Sequence, residues 1–340
     1  MPKICKVTIN SETISARCGD LLLDAALMNG IELPHDCRSG YCGTCQVRVV
    51  RGRCFGGAAE SSDVIHACQA RVISDLHVVA EPVPHVTEIS ATVVDIIDLA
   101  PDVFEVCVAA PPTAEYLPGQ YLSVCFRGYP PRHYSPTRPL DRPINPDLIR
   151  FHVSRLAKGR VSSALGRRIK HGHQVKLTGP FGAAYFRQQL NERLILVSSG
   201  TGFAPIWAIA EAAIRENPQR DLVLIAGARD IESLYMIPAL CRLARFPRVL
   251  IIPTVLKQQR VTPAVRFGRP SEYLPALSPD DLIYVAGAPA LVKATAQIAQ
   301  SAGASYFADP FLPSVVGNTG ETFLSRTARW IAPSRSTARH

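Results

Sequence analysis

Residues 3–9 and 13–16 alternate apolar and polar positions in two short runs, the pattern of a β-hairpin. In DLLLDAALMNG (20–30) the period becomes helical and stops at Gly30. A loop rich in cysteine and glycine follows, and CQVRVVRG (45–52) then reads as a strand with Val47 and Val49 on one face. From 89 to 187 short β runs broken by Pro and Gly succeed one another: ISATVVDIIDLA, VFEVCVAA, GQYLSVCF, LIRFHVSRL and HQVKLTGPFG. That rhythm predicts an antiparallel barrel or sandwich.

After 190 the pattern changes again. RLILVSS (193–199), DLVLIAGA (221–228), RVLIIPTVL (248–256) and DLIYVAGA (281–288) are apolar strands, and helices are predicted over 205–216, 232–245 and 289–302. Alternating β and α predicts an α/β doubly wound parallel sheet, with ligands at the carboxyl ends of its strands. The proline-bearing stretch EPVPHVTE (81–88) marks a linker. The expected division is a first domain over 1–82, a linker over 83–90, a β domain over 91–187, an α/β domain over 190–311 and a tail over 312–340. The tail holds four arginines and one glutamate without a clear pattern and is expected to be loosely held.

Composition narrows the picture. At 340 residues, with 47% hydrophobic and 19% charged positions, the chain suits two or three folded domains. The longest uncharged stretch, 194–210, is interrupted by Ser-Ser-Gly-Thr-Gly and Pro205, so no membrane span is expected. The formal charge of +9 is dispersed, with no basic run interleaved with aromatics, and predicts no nucleic-acid partner. Residues 1–85 carry a net −1 and the remainder +10, consistent with a near-neutral module docked on a body that attracts anionic cofactors. No signal-peptide core opens the chain and ten cysteines are too sparse for a disulfide scaffold, so a cytoplasmic location is expected.

Candidate chemistry concentrates in HDCRSGYCGTC (35–45), where a disulfide knot, a zinc site, a redox dithiol and an iron–sulfur cluster compete. Cys37, Cys42 and Cys45 are spaced C-x4-C-x2-C, and 22 residues separate Cys45 from Cys68 in HACQ. Zinc sites favour matched short pairs, and a dithiol would leave Cys37 and Cys68 without a role. The order is that of a plant-type [2Fe–2S] centre. Gly40 and Gly43 let the loop wrap closely, so that backbone N–H groups can point at sulfur. Zinc stays the alternative metal and Cys54 the competing fourth ligand.

The stretch resembles the ubiquitin-like, α+β ferredoxin domain of bacterial oxygenase reductases, although the gap before Cys68 is shorter than usual there. RHYS (132–135) resembles the flavin motif of the ferredoxin–NADP reductase superfamily. The resemblance implies that Arg132 meets the flavin diphosphate, Tyr134 stacks on the ring system and Ser135 bonds near its N5. Tyr134 and Ser135 thereby become the candidate catalytic residues. His152 and Val153, in the strand that follows, are further candidate cofactor-binding residues. KGRVSSAL (158–165) resembles the family's second phosphate loop, a turn opening a helix, with Gly159, Val161 and Ser162 at the anion and Lys158 in place of a glycine. GPFG (179–182) closes the flavin domain of that family.

SSGTGFAP (198–205) resembles the family's nicotinamide loop, with Gly200, Thr201 and Gly202 at the pyrophosphate and serines where glycine is common. GARDIESLY (227–235) resembles the segment beside the adenosine and includes Arg229. YVAGAPALV (284–292) includes Gly287, with Ala286 where a cysteine is common. YFADPF (306–311) offers Phe311 as an aromatic near the flavin, with a core role as the alternative.

As a whole the chain resembles the NADH-dependent reductases of aromatic-ring-hydroxylating (Rieske) oxygenase systems. The resemblance implies [2Fe–2S], FAD and NADH as cofactors, with FAD preferred over FMN. A hydride would pass from NADH to FAD, then single electrons through the cluster to a terminal oxygenase or a small ferredoxin, in aromatic compound degradation. The alternatives are the reductase of a diiron, phenol-hydroxylase-type monooxygenase and, from another class, a non-catalytic redox or metal sensor. Asp230 and Glu232 disfavour the extra phosphate of NADPH, whereas Arg229 favours it.

Cys68→Ser is expected to lose the cluster, read as iron and acid-labile sulfide, while NADH-to-dye reduction largely persists. Loss in Cys54→Ser, with Cys68→Ser unaffected, would transfer the fourth ligand to Cys54.

Overall fold

The computed structural model describes residues 3–312 apart from 36, 58–62, 82–84, 112–113, 189–191 and 258–263. The expected tail, beyond Leu312, and part of the expected linker lie outside the described residues.

The first sheet contains β1 (Ile4–Ile9), β2 (Glu12–Arg17), β3 (Gln46–Phe55), β4 (Val64–His66) and β5 (Arg71–Ala80), in the order β2-β1-β5-β3-β4. β1 and β5 run parallel and the other pairs antiparallel. Inward positions of β1 (Cys5, Val7 and Ile9) meet Leu22, Leu23, Ala25 and Ala26 of α1 (Leu22–Met28). Gly30 adopts φ 80° just past the helix, a left-handed conformation that suits glycine and turns the chain into the cysteine loop. β5 was not anticipated. Val72, Leu76, Val78 and Ala80 alternate inward correctly, but Ser74 stands at one inward position and breaks the apolar run.

The second sheet is antiparallel: β6 (Thr87–Ala100), β7 (Val103–Ala109), β8 (Tyr121–Phe126), β9 (Arg132–Tyr134), β10 (Pro136–Thr137), β11 (Leu148–Ser154) and β12 (Gln174–Phe181), ordered β10-β11-β7-β6-β12-β8-β9. It curls around a core of Phe104, Val106, Val124, Phe126, Phe151, Val153 and Leu177. Its edge strands β9 and β10 are consecutive in the chain, with Ser135 alone between them. Among the described residues these edges do not pair, so the expected barrel is a curled half-barrel joined covalently at Ser135.

The third sheet is wholly parallel: β13 (Arg193–Ser199), β14 (Leu222–Ala228), β15 (Val249–Val255), β16 (Arg266–Phe267), β17 (Asp281–Gly287) and β18 (Ser305–Pro310), in the order β16-β15-β14-β13-β17-β18. α2 (Phe203–Glu216) and α3 (Ile237–Leu243) cover one face with Trp207, Leu240 and Leu243, and α4 (Pro289–Ala302) covers the other with Val292, Ala296 and Ala299. The strand order reverses between β13 and β17, which opens a ligand crevice at their carboxyl ends. α3 is shorter than expected. Asp230 first caps a 3-10 turn at Ile231–Ser233, and Pro238 belongs only in the opening turn of a helix.

The sheets join around one side chain. Arg187, after β12 of the second sheet, pairs with Glu81 after β5, and its guanidinium lies 3.6 Å above the ring centre of Phe307 in β18. The second and third sheets are also joined by Trp207, whose Nε1 donates to the Pro139 carbonyl at 3.3 Å.

Candidate functional site

The cysteine loop runs between α1 and β3. Arg38, Gly40 and Gly43 have φ of 54°, 78° and 75°, so the loop coils back on itself over three left-handed positions. Cys42, Cys45 and Cys68 are buried and Cys37 is half-buried. The thiols pair by hydrogen bonds, Cys37 with Cys42 and Cys45 with Cys68. The bond from Cys42, with those from Ser39, holds the Cys37 thiol down at about 4. Cys45 holds Cys68 at about 7, while the hydrogen bond to Cys68 and burial raise Cys45 itself.

The Ser39 amide donates to Cys37 Sγ at 3.4 Å, and the backbone of Gly40 bonds to Cys68. The Ala67 amide bonds the Cys45 carbonyl at 2.9 Å, and the Gln69 side chain bonds the Arg38 carbonyl at 2.8 Å, which draws HACQ onto the loop. Two thiol pairs beneath donated N–H groups suit a two-iron cluster. Cys54 lies outside both pairs, in β3 opposite Val72.

The RHYS residues occupy the seam of the second sheet. Arg132 and Tyr134 are half-buried on β9, and the Tyr134 ring lies 6.1 Å from that of Phe151. Burial raises the Tyr134 phenol, which therefore stays neutral. Ser135 is buried, and its Oγ donates to Asp309 Oδ2 at 3.4 Å. Asp309 escaped the sequence reading because its partner lies 174 positions away, although it stood inside the quoted YFADPF.

The segment after Gly159 forms successive turns rather than the expected helix. Ser162 Oγ bonds both the N–H and the carbonyl of Leu156, a local alternative to helical bonding, and Gly166 at φ 74° stops propagation. The amides of Arg160, Val161 and Ser162 carry no hydrogen bond among the described residues and remain available to an anion. The Val161 side chain is in the barrel core.

Alternate residues of β11 separate two of the expected contacts. The Val153 side chain faces the core, which leaves only its backbone for a ligand. His152 points the other way, against the third domain, where its Nδ1 lies 3.2 Å from the Tyr235 hydroxyl. That hydroxyl reaches the Gly200 carbonyl at 3.3 Å. Burial first, then the Arg150 charge, push His152 down to about 3, so the imidazole is neutral. His152 is thus a domain-interface residue, linked to the Gly200–Gly202 turn only through Tyr235.

In that loop Gly200–Gly202 form a 3-10 turn, and α2 starts at Phe203, two residues before the expected start. A Cβ on Gly202 would lie 2.3 Å from the Ala286 carbonyl oxygen, and one on Gly287 (φ 122°) 2.6 Å from the Ser199 carbonyl oxygen. The two strand ends therefore touch backbone to backbone. Thr201 Oγ1 lies 3.1 Å from Ser154 Oγ of β11, and Ser199 Oγ accepts from the Ala288 amide at 3.0 Å. Arg229 is exposed and pairs with Asp230 (3.1 Å) and Asp102 (3.4 Å). Hydrogen bonds from Ser233 hold the Asp230 carboxyl below the usual carboxylate range. Phe311, half-buried, is anchored by its amide to the Gly287 carbonyl at 2.8 Å.

A paired-thiol loop, a curled sheet open at its seam and a doubly wound sheet with a glycine-lined crevice define an electron-transfer oxidoreductase. Family models agree: the 2Fe-2S iron-sulfur cluster binding domain matches residues 7–72, the oxidoreductase FAD-binding domain 90–186 and the oxidoreductase NAD-binding domain 196–297. The chain belongs to the ferredoxin–NAD(P)+ reductase-type oxidoreductases assembled from these three domains, with [2Fe–2S], FAD and NAD as cofactors. Electrons pass from the nicotinamide through FAD to the cluster, which replaces the non-catalytic sensor reading.

The reductase component of the naphthalene 1,2-dioxygenase system of Pseudomonas putida is 28% identical, over 89% of this chain and 97% of its own. Reductase component 1 of terephthalate 1,2-dioxygenase from Comamonas sp. is 29% identical, over 92% and 99%. Among solved structures, the ferredoxin reductase in carbazole 1,9a-dioxygenase has 25% identity and a TM-score of 0.62, covering 92% of this chain and 99% of its own. A cytochrome P450 reductase of Amycolatopsis has 27% identity and a TM-score of 0.63, covering 91% and 99%.

Gly202→Ala is expected to raise the KM for NADH about tenfold in ferricyanide reduction, because backbone on both sides leaves nothing flexible to yield. Flavin content, measured after denaturation, is expected to be unchanged.

Proposed function

We propose that this chain is the NADH-dependent reductase component of an aromatic-ring-hydroxylating oxygenase system, delivering electrons to a Rieske oxygenase or its small ferredoxin. The observation that carries the reading is adjacency on β18: the Ala308 amide bonds the Cys42 carbonyl at 3.1 Å, and the next residue, Asp309, bonds Ser135. Cluster loop and flavin seam thus meet inside one chain, the arrangement an on-board electron relay needs. Relatives from two dioxygenase systems match over nearly their whole length, which favours an oxygenase as acceptor. The working units are the five-stranded domain within 1–82, the curled sheet within 87–187, whose first strand takes up residues 87–90 of the expected linker, and the parallel sheet within 190–311.

A flavin held at the seam would supply hydride acceptance with one-electron release, and a [2Fe–2S] group held by the four cysteines would supply one-electron carriage. The chain's own residues bind and orient. The Arg132 guanidinium and the amides of Arg160 to Ser162 neutralise a diphosphate. Tyr134 presents a flat face at the seam. The Ser135 hydroxyl, whose one proton goes to Asp309, turns its lone pairs to the seam, where it can accept a hydrogen bond from a ring N–H. Gly200 to Gly202 and Gly287 admit a pyrophosphate close to backbone, and the Tyr235 and Ser154 hydroxyls keep that turn against the flavin domain. Phe311 stands at the end of β17, where it can cover the flavin face. Cys37, Cys42, Cys45 and Cys68 supply the cluster's thiolates.

NADH is the favoured donor because Arg229 is already paired with two carboxylates and Asp230 is ionised beside the adenosine segment.

Anaerobic protein is expected to show flavin and cluster absorbance that both bleach with one equivalent of NADH. Colourless, zinc-containing protein would refute the reading. Asp230→Asn, which retains an oxygen to accept the Ser233 bond, is expected to raise kcat/KM for NADPH about five- to tenfold, measured against NADH.

A further inference from the structure

Four consecutive residues of β18 touch all three domains. The Tyr306 hydroxyl accepts from Gln300 Nε2 at 3.0 Å and lies 3.5 Å from the Gly40 carbonyl and 3.4 Å from His66 Nε2, both in the cluster domain. Phe307 lies beneath the Arg187 guanidinium. Ala308 bonds Cys42, and Asp309 bonds Ser135. The Tyr306 carbonyl oxygen also lies 3.4 Å from where a Gly43 Cβ would stand, so side chain and backbone of one residue both abut the cysteine loop.

The Arg187 joint is built more firmly than a surface ion pair. Its Nη2 meets Glu81 Oε2 at 2.8 Å and its Nε meets Oε1 at 3.3 Å, a two-point contact. The Tyr185 hydroxyl adds a bond to Glu81 Oε2 at 2.9 Å. The Arg187 side chain is only 13% exposed, and its guanidinium lies between the Tyr185 and Phe307 rings and donates to the Ala183 and Tyr185 carbonyls. Glu81 is the residue after the last strand of the cluster domain, so this contact fixes the root of the tether. The carboxylate stays half-exposed and therefore sensitive to salt.

We propose that Glu81–Arg187 and Tyr306 form a clamp that holds the cluster loop against the flavin seam, and that this clamp sets the rate of the one-electron step that oxidises the flavin and reduces the cluster. The inference rests on the electron relay proposed above. Glu81, Arg187 and Tyr306 act as positioning residues, because none of them reaches the thiols, the seam serine or the nicotinamide turn. Tyr306 joins the edge strand to both arms of the cluster domain, the cysteine loop through Gly40 and the HACQ segment through His66. Two contacts at separated points suppress rotation of the cluster domain as well as its departure.

The test uses full-length, cofactor-loaded protein carrying Glu81→Gln with Tyr306→Phe, both near-isosteric. NADH–ferricyanide turnover is expected to match wild type, whereas flavin-to-cluster transfer in stopped flow falls about tenfold, the loss of one charge-assisted bond at the joint. Cytochrome c reduction through the cluster is expected to fall with it. Rising ionic strength slows the wild-type step towards the variant rate and leaves the variant unchanged, and Glu81→Asp recovers part of the loss. Hydrogen–deuterium exchange, run also on cofactor-free chain, is expected to quicken at 37–45 and 305–309. Unchanged transfer would overturn the proposal, and so would faster exchange without slower transfer. A wild type that NADH does not bleach overturns the relay instead, a failure visible before any variant is compared.

Discussion

The parallel pairing of β17 with β18 is the constraint on which the cofactor geometry depends. Its register sets Tyr284 beside Phe307, Ala286 beside Asp309 and Gly287 beside Pro310. Because side chains alternate along a strand, Tyr306 and Ala308 join the core beneath α4, while Phe307 packs on the opposite face. A slip of one residue would turn Tyr306 and Ala308 away from that core and carry Phe307 and Asp309 to the wrong side. Every contact that unites the cysteine loop, the Arg187 joint and the flavin seam would be lost together.

A second constraint is backbone contact at the nucleotide crevice. Gly202 and Gly287 let the ends of β13 and β17 approach until no Cβ fits between them. The turn is then stiffened from the flavin side by Ser154 and from α3's approach by Tyr235. Neutral His152, beneath Tyr235, adds a polar partner without placing a charge in the interface. The crevice belongs to two domains at once, which suits a site where nicotinamide and flavin must face each other.

The curl of the second sheet supplies the remaining geometry. With β9 and β10 separated by Ser135 alone, the sheet presents that hydroxyl at its open seam instead of burying it in a ladder. Asp309 arrives there from another domain. The three domains meet there because each sheet delivers an edge or strand end to the same place.

Much of this was legible in the chain. The period of each segment marked β1, β2, the long strands of the second sheet and the β/α alternation of the third, because burial of one or two faces forces that patterning locally. The cysteine spacing and the glycine turns stood out for the same local reason, as close backbone approach and left-handed turns restrict residue type within a few positions. β5 was missed where Ser74 interrupts its inward face, and the expected helix after Gly159 yielded to the Ser162–Leu156 bonds. Tertiary structure alone decided the partnership of Ser135 with Asp309, the turn of His152 towards Tyr235 and the joint at Arg187. These contacts join residues 83 to 174 positions apart, and pairing across such separations follows from how sheets stack and register, which no local pattern encodes.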